Sequence, residues 1–193
     1  DSTHPHPRAR AASLLVASAG HWLVAKKGEQ RKVLQVALAE LRASGLRDAG
    51  TEELLSKIEE LPDYHDYGPR FQSMPAAVHC LLCGPQPIRG LFATDSWPVR
   101  CGVAPDAMRT AGIVLYVLKW HQGPLDALAA GVDVGGDVDS TAALILGIVG
   151  GSVGLKLGQP GGIPWFMVEQ LEGVEYLVAR AKEFEAWLVK EKL

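Results

Sequence analysis

The residues with the clearest chemical promise sit together at Gly135-Gly136-Asp137-Val138-Asp139-Ser140-Thr141. Two carboxylates two positions apart, followed by two hydroxyls, make a compact set of hard oxygen donors. Such a set suits Mg²⁺, Mn²⁺ or Ca²⁺, whereas zinc favours sulfur and imidazole. Extended backbone just ahead of a helix would turn the oxygens of a D-x-D-S run toward one point. The paired glycines permit unusual backbone angles and let a ligand approach the main chain closely. The helix start beyond them offers unpaired N–H groups, which favour a phosphate or carboxylate. A plainer use exists for the same residues: Asp and Ser are favoured N-caps, so Asp139 or Ser140 could simply start a helix.

The segment after the motif favours a site. It carries Gly147, Gly150, Gly151 and Gly154, and each glycine inside a helix costs up to about 1 kcal/mol relative to alanine. Helices tolerate that cost where they pack backbone to backbone. The expectation is a buried glycine-rich helix whose polar start points into a cluster of helices.

At this point the sequence resembles a family. The run GGDVDSTAALILGIVGGSVGL, followed by Gly162-Ile163-Pro164-Trp165, is similar to the C-terminal signature of the ADP-ribosylglycohydrolases. Those proteins include dinitrogenase-reductase-activating and ADP-ribosyl-protein hydrolases, with crystallin-like relatives. Ser2-Thr3-His4-Pro5 resembles a Thr-His segment that precedes a long alanine-rich helix, and Gly102 to Leu118 resembles the helix before the metal motif. Only the stretch 45–100 aligns loosely. The resemblance implies an all-α orthogonal helical bundle with a two-metal centre, Mg²⁺ or Mn²⁺, at the mouth of an ADP-ribose cleft. Carried over, Asp137, Asp139 and Ser140 become metal ligands, with Ser140 in place of the commoner Thr. His4, Gly135 and Gly136 become substrate contacts.

One departure matters. The family carries a Thr-Asp-Asp motif and a catalytic glutamate upstream of the Thr-His segment, and this sequence begins at Asp1, after them. Thr51-Glu52-Glu53 and Thr94-Asp95-Ser96 look like replacements but both come after His4, in the wrong order. The expectation is therefore a C-terminal portion lacking the N-terminal helices, with half of the metal ligands. An N-terminal segment or a second chain would complete the site. Two functions are open: metal-dependent cleavage of the bond between ADP-ribose and an acceptor, or a non-catalytic binding, regulatory or structural protein on the same scaffold.

The elements that must position these residues read as helices. Arg8 to Lys27 is rich in Ala and Leu, with Gly28 placed to stop it. Glu29 to Ser44 carries Val33, Leu34, Ala37, Leu38 and Leu41 at helical spacing, with Gly45 after it. Thr51 is placed to cap a helix through Leu61 that Pro62 would end. Prolines cut 62–104 into short pieces, leaving a helix near Ala76–Cys83. Pro105 reads as a first-turn proline of a helix reaching about His121. Pro124–Ala130 forms a short helix broken by Gly131, with a short extended piece around Val132–Val134. Thr141–Leu157 forms another helix, and Trp165 onward holds one or two more. No segment alternates long enough for a strand.

Composition sets the outer bounds. The 193 residues, 48% hydrophobic and 21% charged, suit one domain spanning 1–193 with a sizeable core. A net charge of −3 speaks against general nucleic-acid binding. The apolar stretch from Ser140 to Leu155 is too short and glycine-rich for a membrane span of about 20 residues. The opening lacks the apolar core of a signal peptide, and a start on Asp1 suggests a fragment or processed product. Three cysteines, Cys80, Cys83 and Cys101, cannot all pair, which suits the cytoplasm or another reducing compartment. The Cys80–Cys83 pair in an apolar helix reads as buried thiols. Asp63-Tyr64-His65-Asp66-Tyr67 reads as a polar surface loop, His79 and His121 as structural or surface residues, and Trp22, Trp120 and Trp187 as amphipathic packing. No GxSxG, HExxH, Walker A or Rossmann fingerprint occurs.

Overall fold

The computed structural model describes residues 6–46, 49–84 and 102–191, apart from the side chains of 49 and 191. His4, Cys101 and Thr94-Asp95-Ser96 lie outside the described residues. Among the described residues there are nine α-helices and no strand, so the fold is all-α. The helices are α1 (Pro7–Gly20), α2 (Val33–Ser44), α3 (Ala49–Glu60), α4 (Ala76–Cys83), α5 (Ala107–Trp120), α6 (Pro124–Asp133), α7 (Val138–Val153), α8 (Trp165–Glu169) and α9 (Val174–Glu191). Residues 1–155 form one compact unit and 156–193 a second.

The first unit is built around α5. Its residues Met108, Ala111, Gly112, Ile113, Val114, Leu115, Tyr116, Val117 and Leu118 are all buried. A helix that is apolar on every side must be enclosed, and α1, α2, α3, α4, α6 and α7 all pack against it. α1 contributes Ala11, Leu15 and Ala19, and α2 contributes the whole stripe Val33, Leu34, Ala37, Leu38 and Leu41. Tyr116 is enclosed, and its hydroxyl donates to the Pro62 carbonyl at 2.7 Å. Burial, first among the causes, holds that phenol far above its ordinary value.

Several boundaries differ from the expectations, each for a packing reason. After α1 the chain widens into a π-turn over His21–Ala25, and Lys27 takes the left-handed conformation, φ 51°. Gly28 serves Trp22 instead: a Cβ there would lie 2.0 Å from the indole ring, whose Nε1 donates to the Glu29 carbonyl at 2.9 Å. α3 starts at Ala49, which leaves Thr51 buried inside it. Pro105 stands outside α5, because Asp106 is the N-cap and accepts from the Arg109 N–H at 3.0 Å. Gly131 continues α6 and does not break it. A Cβ at Gly131 would meet Ile145 Cδ1 at 3.0 Å and Ala142 Cα at 3.5 Å, so this glycine lets α6 and α7 approach closely. The residues Val132–Val134 are helical or turn; the extended contact lies at Gly136, in a parallel bridge to Val103.

α7 begins at Val138, three residues earlier than expected, and buries Thr141, Ile145 and Val149 as a single stripe. It is not enclosed on all sides. Gly151 lies against Val24, with its would-be Cβ 3.1 Å away, whereas Gly147 faces open space.

The CxxC lies on α4, where Cys83 is buried and Cys80 half-buried, both as free thiols. Burial pushes the Cys83 thiol up to about 12, against a smaller opposing pull from Arg109.

In the second unit, α8 and α9 leave large apolar groups in solvent, among them Trp165, Phe166, Phe184 and Trp187. Phe184 and Trp187 stack with ring centroids 5.8 Å apart. Among the described residues no helix is long and apolar enough to cross a membrane.

Two outcomes test this packing. Gly147→Ala should raise stability by up to about 1 kcal/mol, because it adds helix propensity where nothing crowds the new methyl; a loss in urea unfolding would contradict the open space. Cys83 should resist alkylation in the native protein at neutral pH and react once the chain is unfolded. Labelling of native Cys83 at the rate of a free thiol would refute its burial.

Candidate active site

The site begins where the chain leaves α6. The Val134 N–H donates to Ala130 O and the Gly135 N–H to Val132 O, which closes the helix. Gly135 and Gly136 then take φ values of 75° and 78°, a region that L side chains rarely occupy. These two residues pair with the strand-like segment ahead of α5. The Val103 N–H donates to Gly135 O at 3.0 Å, and the Asp137 N–H donates to Val103 O at 3.1 Å. The approach is closer than any side chain allows. A Cβ on Gly102 would lie 1.9 Å from the Gly135 carbonyl carbon, and one on Gly136 would lie 2.2 Å from Val103 O. The space at these glycines is therefore filled by the protein's own main chain.

This pairing fixes Asp137 from both sides. Its N–H is held by Val103, and its carbonyl accepts from the Thr141 N–H at 3.3 Å and from Thr141 Oγ1 at 3.0 Å. Asp137 occupies the N-cap position of α7, yet its side chain makes no capping hydrogen bond. That separates it from an ordinary helix cap, whose carboxylate is consumed by the N–H groups of the first turn. Asp139 and Ser140 lie inside the first turn of α7 and are exposed, while Asp137 is half-buried. The helix thus starts at Val138, so Asp139 and Ser140 stand in its first turn and not in the extended run expected from the sequence.

The two carboxyl groups face each other. The side-chain hydrogen bond with Asp137 is the first cause holding the Asp139 carboxyl below its ordinary value, followed by the N–H groups of Ser140 and of Asp139 itself. Two carboxylates this close repel unless a proton or a cation lies between them. The helix dipole offsets part of that repulsion at the start of α7.

Asp137 and Ser140 line the wall of a cleft of about 630 Å³ formed by α1, the approach to α5, α5 itself and α7. Its volume is within the range of small-molecule sites. Ser13 of α1 and Thr110 of α5 also line it, bringing hydroxyls to an otherwise mostly aliphatic surface. Neither residue stands out in the sequence, because a lone hydroxyl inside an amphipathic helix carries no local signal. A second cleft, of about 200 Å³, is lined by Leu23, Gln30, His121 and Val149 among others and contains none of the motif oxygens.

The donor chemistry fits a hard divalent cation. Two carboxylates and one hydroxyl, with no sulfur or imidazole among them, form an oxygen set of the kind Mg²⁺ and Mn²⁺ prefer. The Asp137 carboxylate caps no helix N–H and faces Asp139, and its backbone is clamped. Of the other sequence candidates, Glu52 pairs with Arg42 at 2.6 Å and Glu53 with Lys57 at 2.6 Å. Both are engaged on α3, and neither lines the cleft.

The Asp63–Tyr67 segment keeps His65 and Asp66 exposed, as expected of a surface loop, but turns one ring inward. Tyr64 is buried, and so is His121, which lies against it. His79 is buried as well. Burial, then Asp133, Asp126 and Asp63, push the Tyr64 phenol up to about 12.

Comparison with curated proteins and with solved structures gives no match. A protein-family model described as ADP-ribosylglycohydrolase matches residues 1–192. With essentially the whole chain matched, and with the Gly-Gly-Asp-x-Asp-Ser turn set at the edge of a cleft, the chain belongs to the ADP-ribosylglycohydrolase family.

Proposed function

We propose that this protein acts as a metal-dependent ADP-ribosyl hydrolase, cleaving the glycosidic bond between ADP-ribose and an acceptor such as a modified protein. The observation that carries this reading is the Asp137 carboxylate, which caps no helix N–H, faces the Asp139 carboxyl and is clamped through its backbone at the wall of the cleft that Ser140 also lines. Family membership supports hydrolase chemistry in general.

In this reading Asp137, Asp139 and Ser140 hold Mg²⁺ or Mn²⁺. When bound, such a cation orients the ribose hydroxyls and stabilises the charge that develops as the bond breaks. The residues of the chain do the positioning. Val103 and Thr141 fix the main chain of Asp137, so its carboxylate enters the cleft with little freedom left to lose. Gly135 and Gly136 contribute the backbone turn that makes this clamp. The first-turn N–H groups of α7 are already engaged, Val138 with the Gly136 carbonyl, Asp139 and Ser140 with the Asp139 carboxyl and Thr141 with the Asp137 carbonyl, so the carboxylates and not these donors face the ligand. Hydrolysis adds water across the bond, with the hydroxyl going to the sugar's anomeric carbon and the proton to the acceptor.

Three protein oxygens are fewer than the roughly six that Mg²⁺ requires. Substrate hydroxyls, water and donors from an N-terminal segment or a second chain supply the rest in this proposal. His4 belongs to the same proposal as a substrate contact near the ribose or phosphates.

Calorimetric titration of ADP-ribose should show binding with Mg²⁺ or Mn²⁺ that EDTA abolishes. Asp137→Ala should weaken it at least about tenfold, the loss of one charge-assisted contact of roughly 1.5 kcal/mol or more. Ser140→Thr should keep binding and Ser140→Ala should reduce it. Binding indifferent to both EDTA and Asp137→Ala would defeat the metal-centred reading. Metal-dependent binding without hydrolysis of ADP-ribosylated protein would favour a non-catalytic role on the same site.

A further inference from the structure

A second cluster of ligating groups lies away from that cleft, none of its members lining it. Asp63, His65 and His121 each place one ligand atom within 4.8 Å of the others. Asp63 caps a 3₁₀ turn that contains His65 and comes after α3, and His121 is the C-cap of α5. Asp126 lies in the first turn of α6. Three separate pieces of the fold therefore meet at this point.

The decisive atom is His121 Nε2. The residue is only 2% exposed, and Nε2 has no hydrogen-bond partner. Buried polar atoms are nearly always satisfied, so an orphan of this kind calls for an explanation. Its other nitrogen, Nδ1, lies 2.8 Å from Asp126 Oδ2. With Nδ1–H donating to that carboxylate, Nε2 carries a lone pair and faces Asp63 Oδ1 at 3.7 Å. Two acceptors face each other across a gap too long for a hydrogen bond.

A bound ion removes the conflict. Two donors at about 2.0–2.1 Å from one tetrahedral ion lie about 3.3 Å apart. The separation of 3.7 Å between Asp63 Oδ1 and His121 Nε2, and of 3.2 Å between Asp63 Oδ1 and His65 Nδ1, fall on either side of that value. The carboxylate–imidazole pairing of Asp126 with His121 is the arrangement that orients a metal-ligating histidine and raises its basicity. The Tyr64 ring, 4.1 Å from His65 and 5.5 Å from His121 between centroids, forms an aromatic wall on one side. Two imidazoles and one carboxylate select a borderline transition metal over Mg²⁺ or Ca²⁺.

We propose that Asp63, His65 and His121 bind one Zn²⁺ ion, oriented by Asp126 and leaving a fourth position open to water or a ligand. The ion ties the turn after α3 to the corner between α5 and α6. A protonated His121 held between Asp63 and Asp126 is the competing account, and it predicts no metal binding.

The test uses the full, metal-free chain without a histidine tag. Co²⁺ titration should give visible d–d absorption that saturates at one equivalent, with no thiolate charge-transfer band, and Zn²⁺ should displace it. His65→Ala, an exposed position with little folding risk, should weaken Zn²⁺ at least about tenfold, and Asp126→Asn by about 10–100-fold. Zn²⁺ should raise the melting temperature of the wild type and not of His65→Ala. Asp137→Ala should leave Zn²⁺ affinity unchanged, which separates this site from the proposed hydrolase centre. No saturable Co²⁺ or Zn²⁺ binding, or equal affinity in the wild type and His65→Ala, would overturn the proposal. A thiolate band would assign the metal to Cys80 and Cys83 and overturn it equally.

Discussion

Everything at the candidate active site depends on two backbone hydrogen bonds between residues 103 and 135–137. They join the approach to α5 with the approach to α7, two segments that share no helix. Such bonds add only about 1 kcal/mol each to net stability, so the pairing alone would not hold two loops together. What makes it stable is that α5 is buried on every side and α7 packs beside it, so that both loops leave fixed supports. Gly102 and Gly136 then permit an approach that any Cβ would block. The motif glycines thus act first on the protein's own main chain, and through it on the aspartate beyond them.

The same central helix supports the second cluster. The segment ahead of α5 holds Asp137 through Val103, and the C-cap of α5 is His121. Fourteen helical residues separate the ends, a span of about 21 Å at roughly 1.5 Å per residue. α6 runs between the two regions, with Asp126 in its first turn bound to His121 and Asp133 in its last turn bound to the Phe71 N–H at 2.6 Å. Arg70 pairs with Asp133 as well. One rigid element therefore positions oxygen donors at one end and an imidazole at the other, so a local change at either end need not disturb its counterpart.

The helices are legible in the sequence because their apolar spacing is driven by a single core. Val33, Leu34, Ala37, Leu38 and Leu41 mark the buried face of α2 without any tertiary knowledge. The boundaries that sequence reasoning misses are set by partners distant in the chain. Gly131 looks like a helix breaker because its reason for being glycine is Ile145, on the next helix. Pro105 looks like a first-turn residue, but Asp106 takes the cap. Asp137, Asp139 and Ser140 are legible as a set because they are close in the chain, although their local conformation is not. The Asp63, His65 and His121 cluster is illegible for the opposite reason. His65 and His121 are separated by 56 positions (121 − 65), and only the packing of α5 against the end of α3 brings them together.

The two proposed donor sets differ in ways that would keep two kinds of ion from exchanging between them. First-row affinities rise steeply toward copper and zinc at nitrogen sites, whereas an all-oxygen site with an exposed hydroxyl gains little from that trend. At Asp137 the proposed ligands are exposed or half-buried, which would suit an ion that arrives with part of its hydration shell and with the substrate. At His121 the proposed ligand is enclosed and held by Asp126, which would suit an ion bound for the lifetime of the fold. Mg²⁺, which dehydrates reluctantly, gains nothing from two imidazoles. Burial and ligand type, more than raw affinity, would keep a resident ion at the α5–α6 corner and a working ion at the start of α7.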